Sequence, residues 1–173
     1  MSKRDLKKYL DGLDKDQISV QFLEMYDKFP DVKTYYDFVF NPKEDKLIGE
    51  AKAKISNEYF PVKTKRAKLR RSTAQKYIKH FLMLGVDPFS VADLMLYNVE
   101  TAQKYSARRE MRYSSFYKSM EKSFEQATSY IIANGMAAEF SKRLWDISNE
   151  AGHQRWENKD RFVSIAEQLQ WEM

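Results

Sequence analysis

The sequence predicts an all-α protein: a single domain spanning 1–173, with about eight mostly antiparallel helices arranged as an irregular bundle or a short stack of helical pairs. Capping residues recur just ahead of apolar stripes spaced three and four residues apart, which is the helical period. Only five glycines and four prolines punctuate 173 residues, too few for a turn-rich β architecture or for long disordered linkers. The hydrophobic fraction of 43% suffices for one compact domain, which at this length buries about 70% of its unfolded surface.

The elements follow in order. Ser2 caps a short helix carrying Leu6, Tyr9 and Leu10. Asp14, with Gln17 three residues on, opens a longer one with Ile18, Phe22, Met25, Tyr26 and Phe29 on one face, and Pro30 ends it. Asp31 begins a short segment with Val32, Tyr35, Tyr36 and Val39 on one side; its aromatic stretch from Tyr35 to Phe40 leaves a strand open as the alternative. Asn41-Pro42-Lys43-Glu44 combines a capping Asn, a proline at the first helical position and a Glu three residues later, and opens a helix that buries Ile48, Ala51 and Ile55. A loop from about 61 to 71 leads to Ser72, which pairs with Gln75 as a capping box for a helix with Ala74, Tyr77, Ile78, Phe81 and Leu82 inward, closed by Gly85.

Asp87-Pro88 starts the next helix, and neither glycine nor proline interrupts the chain from Phe89 to Asn134. A single helix of that length would be roughly 69 Å long, wider than the globule, so a break is expected near Ser106 to Glu110. The second half places Tyr113, Phe116, Tyr117, Met120, Phe124, Ala127 and Ile131 on one face, with Gly135 as a C-terminal cap. Two helices complete the chain, one with Phe140, Leu144, Ile147 and Ala151 inward and one capped by Asn158 with Phe162, Ile165, Ala166 and Leu169 inward. No fixed-period repeat, low-complexity segment or separate linker interrupts this order.

Composition excludes whole classes of chemistry. With no cysteine there is no disulfide framework, zinc-thiolate site or cysteine nucleophile. The start has no signal-peptide pattern and no stretch approaches the ~20 apolar residues that span a bilayer. A soluble, cytoplasmic protein is expected, with no membrane association.

The net charge of +5 conceals an uneven distribution. Residues 1–60 carry 11 basic and 12 acidic side chains, residues 61–120 carry 13 and 4, and residues 121–173 carry 6 and 9, so the positive charge belongs to the middle. Lys63, Lys65, Arg66, Lys68, Arg70 and Arg71 crowd into nine residues leading into the Ser72 helix. The helix macrodipole is already positive there, so these cations have the wrong sign for stability and an anion would relieve them. The inward stripe of that helix turns Lys76 and Lys79 outward beside His80, which extends the positive surface toward a phosphate, a nucleic-acid backbone or an acidic protein. The competing reading is a solvated loop whose carboxylate partners come from elsewhere in the fold. A second feature is the four-residue spacing of Lys104, Arg108 and Arg112, with Arg109, Tyr105 and Tyr113 beside them, a cationic ridge suited to phosphates and stacked bases. For the two tyrosines the core is the expected location.

Catalytic patterns fail on inventory. Glu150-Ala151-Gly152-His153 has the Glu-x-x-His spacing of di-iron bundles, but no second copy exists among two histidines. Asp14 and Asp16 lack the glycine and glutamate of a calcium loop, and no nucleotide-cradling glycine motif is present. Asp93 and Glu100 lie two helical turns apart on one face and read as surface or inter-helix salt-bridge partners. No metal, cofactor or catalytic residue is assigned.

Tyr35-Tyr36-Asp37-Phe38, Asn41-Pro42-Lys43-Glu44-Asp45-Lys46, Tyr59-Phe60-Pro61, Leu69-Arg70-Arg71-Ser72, Gln75-Lys76-Tyr77-Ile78, Asp93-Leu94-Met95-Leu96 and Trp156-Glu157-Asn158 resemble a family of small bacterial proteins grouped as a domain of unknown function, DUF sixty-one fifty-five. The resemblance runs nearly the whole chain, which implies a complete one-domain protein, and it supplies no activity, cofactor or site residue. The expected function is a non-enzymatic binding protein whose basic surface engages an anionic partner, nucleic acid foremost. The alternative is a protein-interaction adaptor or homo-oligomeric helical scaffold anchored by aromatics such as Trp145, which lies off the stripe of its helix.

Overall fold

A computed structural model describes residues 2–63, 66–109 and 111–168. The chain is all-α, with nine helices among the described residues: α1 (Lys3–Asp11), α2 (Lys15–Lys28), α3 (Pro30–Phe40), α4 (Glu44–Tyr59), α5 (Arg71–Leu84), α6 (Pro88–Ser106), α7 (Ser114–Ala133), α8 (Ala137–His153) and α9 (Lys159–Glu167). The aromatic stretch Tyr35 to Phe40 is helical, which closes the strand alternative.

Most helix starts follow their caps. Ser2 and Asp5 cap each other reciprocally, as do Asp14 and Gln17, and Asp87 accepts the Ser90 N–H at 3.0 Å with Pro88 in the first turn. Gly85 takes the left-handed φ of +72° that ends α5, and the long glycine-free stretch breaks after Ser106, inside the expected window. Glu110, Lys65 and Leu169, all named from the sequence, lie outside the described residues.

Three starts need correction. Asn41 does not cap α4: its N–H bonds back to the Asp37 and Phe38 carbonyls at 3.2 Å, so it terminates α3, and α4 begins two residues after Pro42. Ser72 does not form a capping box, because α5 begins at Arg71 and the Gln75 amide donates across to Gln126 Oε1 at 2.9 Å. Asn158 precedes α9 as expected, yet its side-chain amide donates to the Tyr117 carbonyl and to Glu121.

Two compact units make up the chain, Met1–Lys43 and Glu44–Met173. In the first, α2 and α3 are joined by an edge-to-face contact of Phe22 on Tyr36 (4.8 Å) and by a hydrogen bond from the Tyr26 hydroxyl to Asp37 (2.6 Å). None of its described residues is buried, so the stripes assigned to the core in α1–α3 are corrected to half-buried (Phe22, Tyr26, Val32, Tyr36) or exposed (Leu6, Tyr9, Leu10, Ile18, Met25, Phe29, Tyr35, Val39). Three short helices have too little surface to enclose an interior of their own.

The core belongs to the second unit and is organised by α6. This helix buries Val91, Leu94, Met95, Leu96 and Val99, which spread over more than half of its circumference, and it packs against α4, α5, α7 and α8. Ala51 and Ile55 of α4, Ile78 and Phe81 of α5, Phe124 and Ile131 of α7, and Leu144 and Ile147 of α8 close around it. Beyond α8 the buried Trp156 meets Phe116, Tyr117 and Phe162 edge-on at 5.3–5.7 Å, and Phe162 stacks on Phe124 at 4.9 Å, which ties α9 to α7. Two inward assignments fail: Leu82 is exposed, with Leu84 buried in its place, and Tyr113 is exposed at the start of α7.

Asp93 and Glu100 are inter-helix partners, as expected. The Arg143 guanidinium of α8 reaches Asp93 Oδ1 and Glu100 Oε1, each at 2.6 Å, while Lys52 of α4 approaches Asp93 Oδ2 at 2.6 Å. Burial works to raise the Asp93 carboxyl, but hydrogen bonds from Lys52 and Arg143 outweigh it and hold the group below its ordinary range. Arg143→Ala strands the half-buried Glu100 carboxylate and leaves Asp93 to Lys52 alone, and is expected to lower unfolding free energy by about 1–3 kcal/mol, read from urea midpoints at unchanged m-value. A loss under about 0.5 kcal/mol would show that the bridge contributes nothing to the fold.

Candidate functional site

The basic segment is hung from one residue. Glu58, buried near the end of α4, accepts the Lys68 and Leu69 N–H groups on its backbone carbonyl at 2.9 and 3.2 Å. Its carboxylate takes the Arg70 guanidinium in a two-pronged contact at 2.8 and 3.0 Å and the Arg70 N–H at 3.4 Å. Leu69 adopts a left-handed φ of 55° to let the chain turn onto this anchor. Hydrogen bonding from Arg70 holds the Glu58 carboxyl below its ordinary range against the opposing effect of burial.

The anion called for by the cations ahead of α5 is therefore the protein's own carboxylate. Arg70 is paired with Glu58, and Arg71 is half-buried, donating to Ser123 Oγ at 2.9 Å and Gln126 Oε1 at 3.0 Å. The inference that this helix start lacks a partner is corrected on that ground. Lys63, Arg66, Lys68, Lys76 and Lys79 remain exposed.

What the fold builds beside this anchor is a trough along the outer face of α4. A groove of about 580 Å³ is lined by Lys54, Ser56, Asn57, Phe60, Val62 and Lys63, and a second of about 550 Å³ by Lys54, Asn57, Arg70, Ser72, Thr73 and Lys76. Lys54 and Asn57 line both, so the two adjoin along α4. Phe60 walls one end, where the Tyr105 ring meets it edge-on at 5.8 Å and the Arg108 guanidinium lies over it at 5.7 Å; Arg109 lies over Tyr105 at 5.5 Å. Asn57 fixes the turn by accepting the Val62 N–H at 3.2 Å, which leaves the Val62 side chain exposed at the groove edge.

The structure thus brings the start of one predicted basic cluster, Lys63, against part of the other, Arg108, across Phe60. It does not form the predicted helical ridge. α6 stops at Ser106, so only Lys104 is helical, Arg108 lies in the turn beyond, and Arg112 is exposed in the segment before α7. Lys104 and Arg108 also line a third groove with Glu100, Asp146 and Glu150, where acidic neighbours offset their charge. Tyr105 is half-buried, and the exposed Tyr113 departs from the core expected for both tyrosines. Sequence reasoning missed Lys54, Asn57 and Phe60. Lys54 alone carried a signal, as a lysine off the apolar stripe of α4; Phe60, just ahead of the loop that begins at about 61, carried none.

No other cluster competes. His153 is exposed at the end of α8, 3.8 Å from Glu150, and no group of three or more metal-ligating side chains occurs among the described residues. No helix among them is long and apolar enough to cross a membrane.

A family model described as "Family of unknown function (DUF6155)" matches residues 1–170. The chain belongs to the DUF6155 family. Neither a curated protein nor a solved structure matches it significantly. In this DUF6155 member, Tyr59-Phe60-Pro61 and Leu69-Arg70-Arg71-Ser72 flank the trough, and Asp93 of the string Asp93-Leu94-Met95-Leu96 binds Arg143.

Glu58→Gln is expected to cost about 1–2 kcal/mol at neutral pH, since the Arg70 partner is solvent-exposed. A carboxyl depressed in the folded state stabilises fully above its unfolded value and loses that contribution as pH falls through its folded value. The difference in urea midpoint between wild type and Glu58→Gln should accordingly be constant above about pH 6 and shrink below about pH 4.5. A pH-independent difference would mean that the ionised carboxylate is not the anchor.

Proposed function

We propose that this protein is a non-enzymatic binding protein whose cationic trough engages a polyanion, most specifically nucleic acid. The observation that carries the reading is the adjacency of the two grooves, which share Lys54 and Asn57. Lys63, Lys54 and Lys76 succeed one another along a single surface, and among the described residues none of the three has a carboxylate within 4.0 Å. Lys54 has no carboxylate partner among the described residues although Lys52, two residues away, is held by Asp93. Glu58, the one acid lining the trough among the described residues, already holds Arg70. A row of unpaired ammonium groups suits repeated phosphates better than a single small ion, because each contact releases a condensed counterion.

Binding to mixed RNA or DNA should weaken steeply between about 50 and 200 mM salt. Replacing Lys54, Lys63 and Lys76 together by Ala should flatten the log–log salt slope by about two units, while Lys159→Ala, a control exposed on α9, leaves it unchanged. Absence of binding to every nucleic acid tested at low salt would refute the reading.

A second reading, protein interaction, is favoured by the first unit, where Val20, Leu23 and Phe40 are 56, 63 and 82% exposed. Partners captured from cells that survive nuclease treatment would support it, and partners lost with the nucleic acid would favour the trough.

A further inference from the structure

Resting on the nucleic-acid reading, we propose that the trough selects single-stranded over duplex nucleic acid, with a base stacked against Phe60 while the lysines track its phosphates. The inference comes from what stands at the end of the lysine row. Phe60 is half-buried, with Arg108 over its ring and the Tyr105 edge against it, so the ring is held in place from the α6 side and lines the groove with its remaining surface. A ring fixed by its neighbours offers a stacking surface without losing side-chain freedom on binding.

The groove it walls has a volume of about 580 Å³, within the range of small-molecule sites, and mixes apolar walls from Ala53, Phe60, Pro61 and Val62 with hydrogen-bonding groups from Ser56 and Asn57. That is the chemistry of a nucleobase: an apolar face with a polar edge. Paired bases in a duplex have both faces covered by their neighbours, so a duplex can meet only the rim ammonium groups of a concave surface. A single strand can splay one base into the groove and keep the phosphate contacts as well. A polyanion without bases satisfies the lysines alone.

The test measures fluorescence anisotropy of the full chain at about 50 mM salt with a twelve-nucleotide single strand and a hairpin duplex of the same sequence, and uses inorganic polyphosphate as competitor. Wild type should bind the strand at least fivefold more tightly than the duplex. Phe60→Leu, which keeps the apolar volume and removes the aromatic face, should weaken strand binding about tenfold, within the range for loss of one stacked base, while leaving duplex binding within twofold. Phe60→Trp should restore the preference, and matched circular dichroism and urea midpoints show that both variants fold. Equal affinity for strand and duplex, or strand binding indifferent to Phe60→Leu, overturns the inference and leaves the polyanion reading standing. No binding to either nucleic acid removes both.

Discussion

A helix that is apolar around more than half of its circumference has to be covered from several sides, and α6 is such a helix. Val91, Leu94, Met95, Leu96 and Val99 cannot all face one neighbour, so α4, α5, α7 and α8 must each supply a face to cover them. The end of α6 is met by the enclosing chain: the Gln103 amide donates to the Ile147 carbonyl at 2.8 Å, and Gln154 donates back to the Gln103 carbonyl at 3.0 Å. Where α6 reaches the edge of the core it carries Asp93 and Glu100, and Arg143 and Lys52 arrive from two different helices to meet them.

That arrangement also explains where the positive charge ends up. The middle of the sequence holds few acids, and the enclosure of α6 commits two of them, Asp93 and Glu100, to Arg143 and Lys52, cations drawn from outside it. A third, Asp87, caps its own helix. The lysines of the basic segment are left without those carboxylates, and the single acid placed among them, Glu58, is turned inward to hold Arg70 and the incoming chain. Structural pairing in the core and positive potential at the surface are two results of one distribution of charges.

Helix by helix, the sequence was legible wherever cap chemistry and apolar period agreed, as at Asp14, Asp87 and Gly85. It misled where a capping residue found a better partner across the fold: Gln75 turns to Gln126 and Asn158 to Tyr117 and Glu121, neither of which local spacing can reveal. The stripes of α1–α3 show the same limit, because a period tells which side is apolar but not whether anything covers it. At the trough, Lys63 and Arg108 could be named from their clusters, whereas their meeting through Phe60 depends on how α4 and α6 cross. The charge run was visible; the carboxylate that claims part of it, Glu58, lay in another third of the chain.

The anchoring of the 60–70 segment has a consequence for how the protein can vary. Glu58 receives the chain at Lys68, Leu69 and Arg70 only ten to twelve residues after the chain leaves it, so this carboxylate and its carbonyl close a short loop on the scaffold. Lengthening a closed loop is inexpensive, since doubling a loop costs only about 0.6 kcal/mol in closure entropy. Residues can therefore be inserted beyond Val62 with the helical scaffold untouched, provided Glu58 and Arg70 are kept. The basic segment can in this sense change length without loosening the helices it joins.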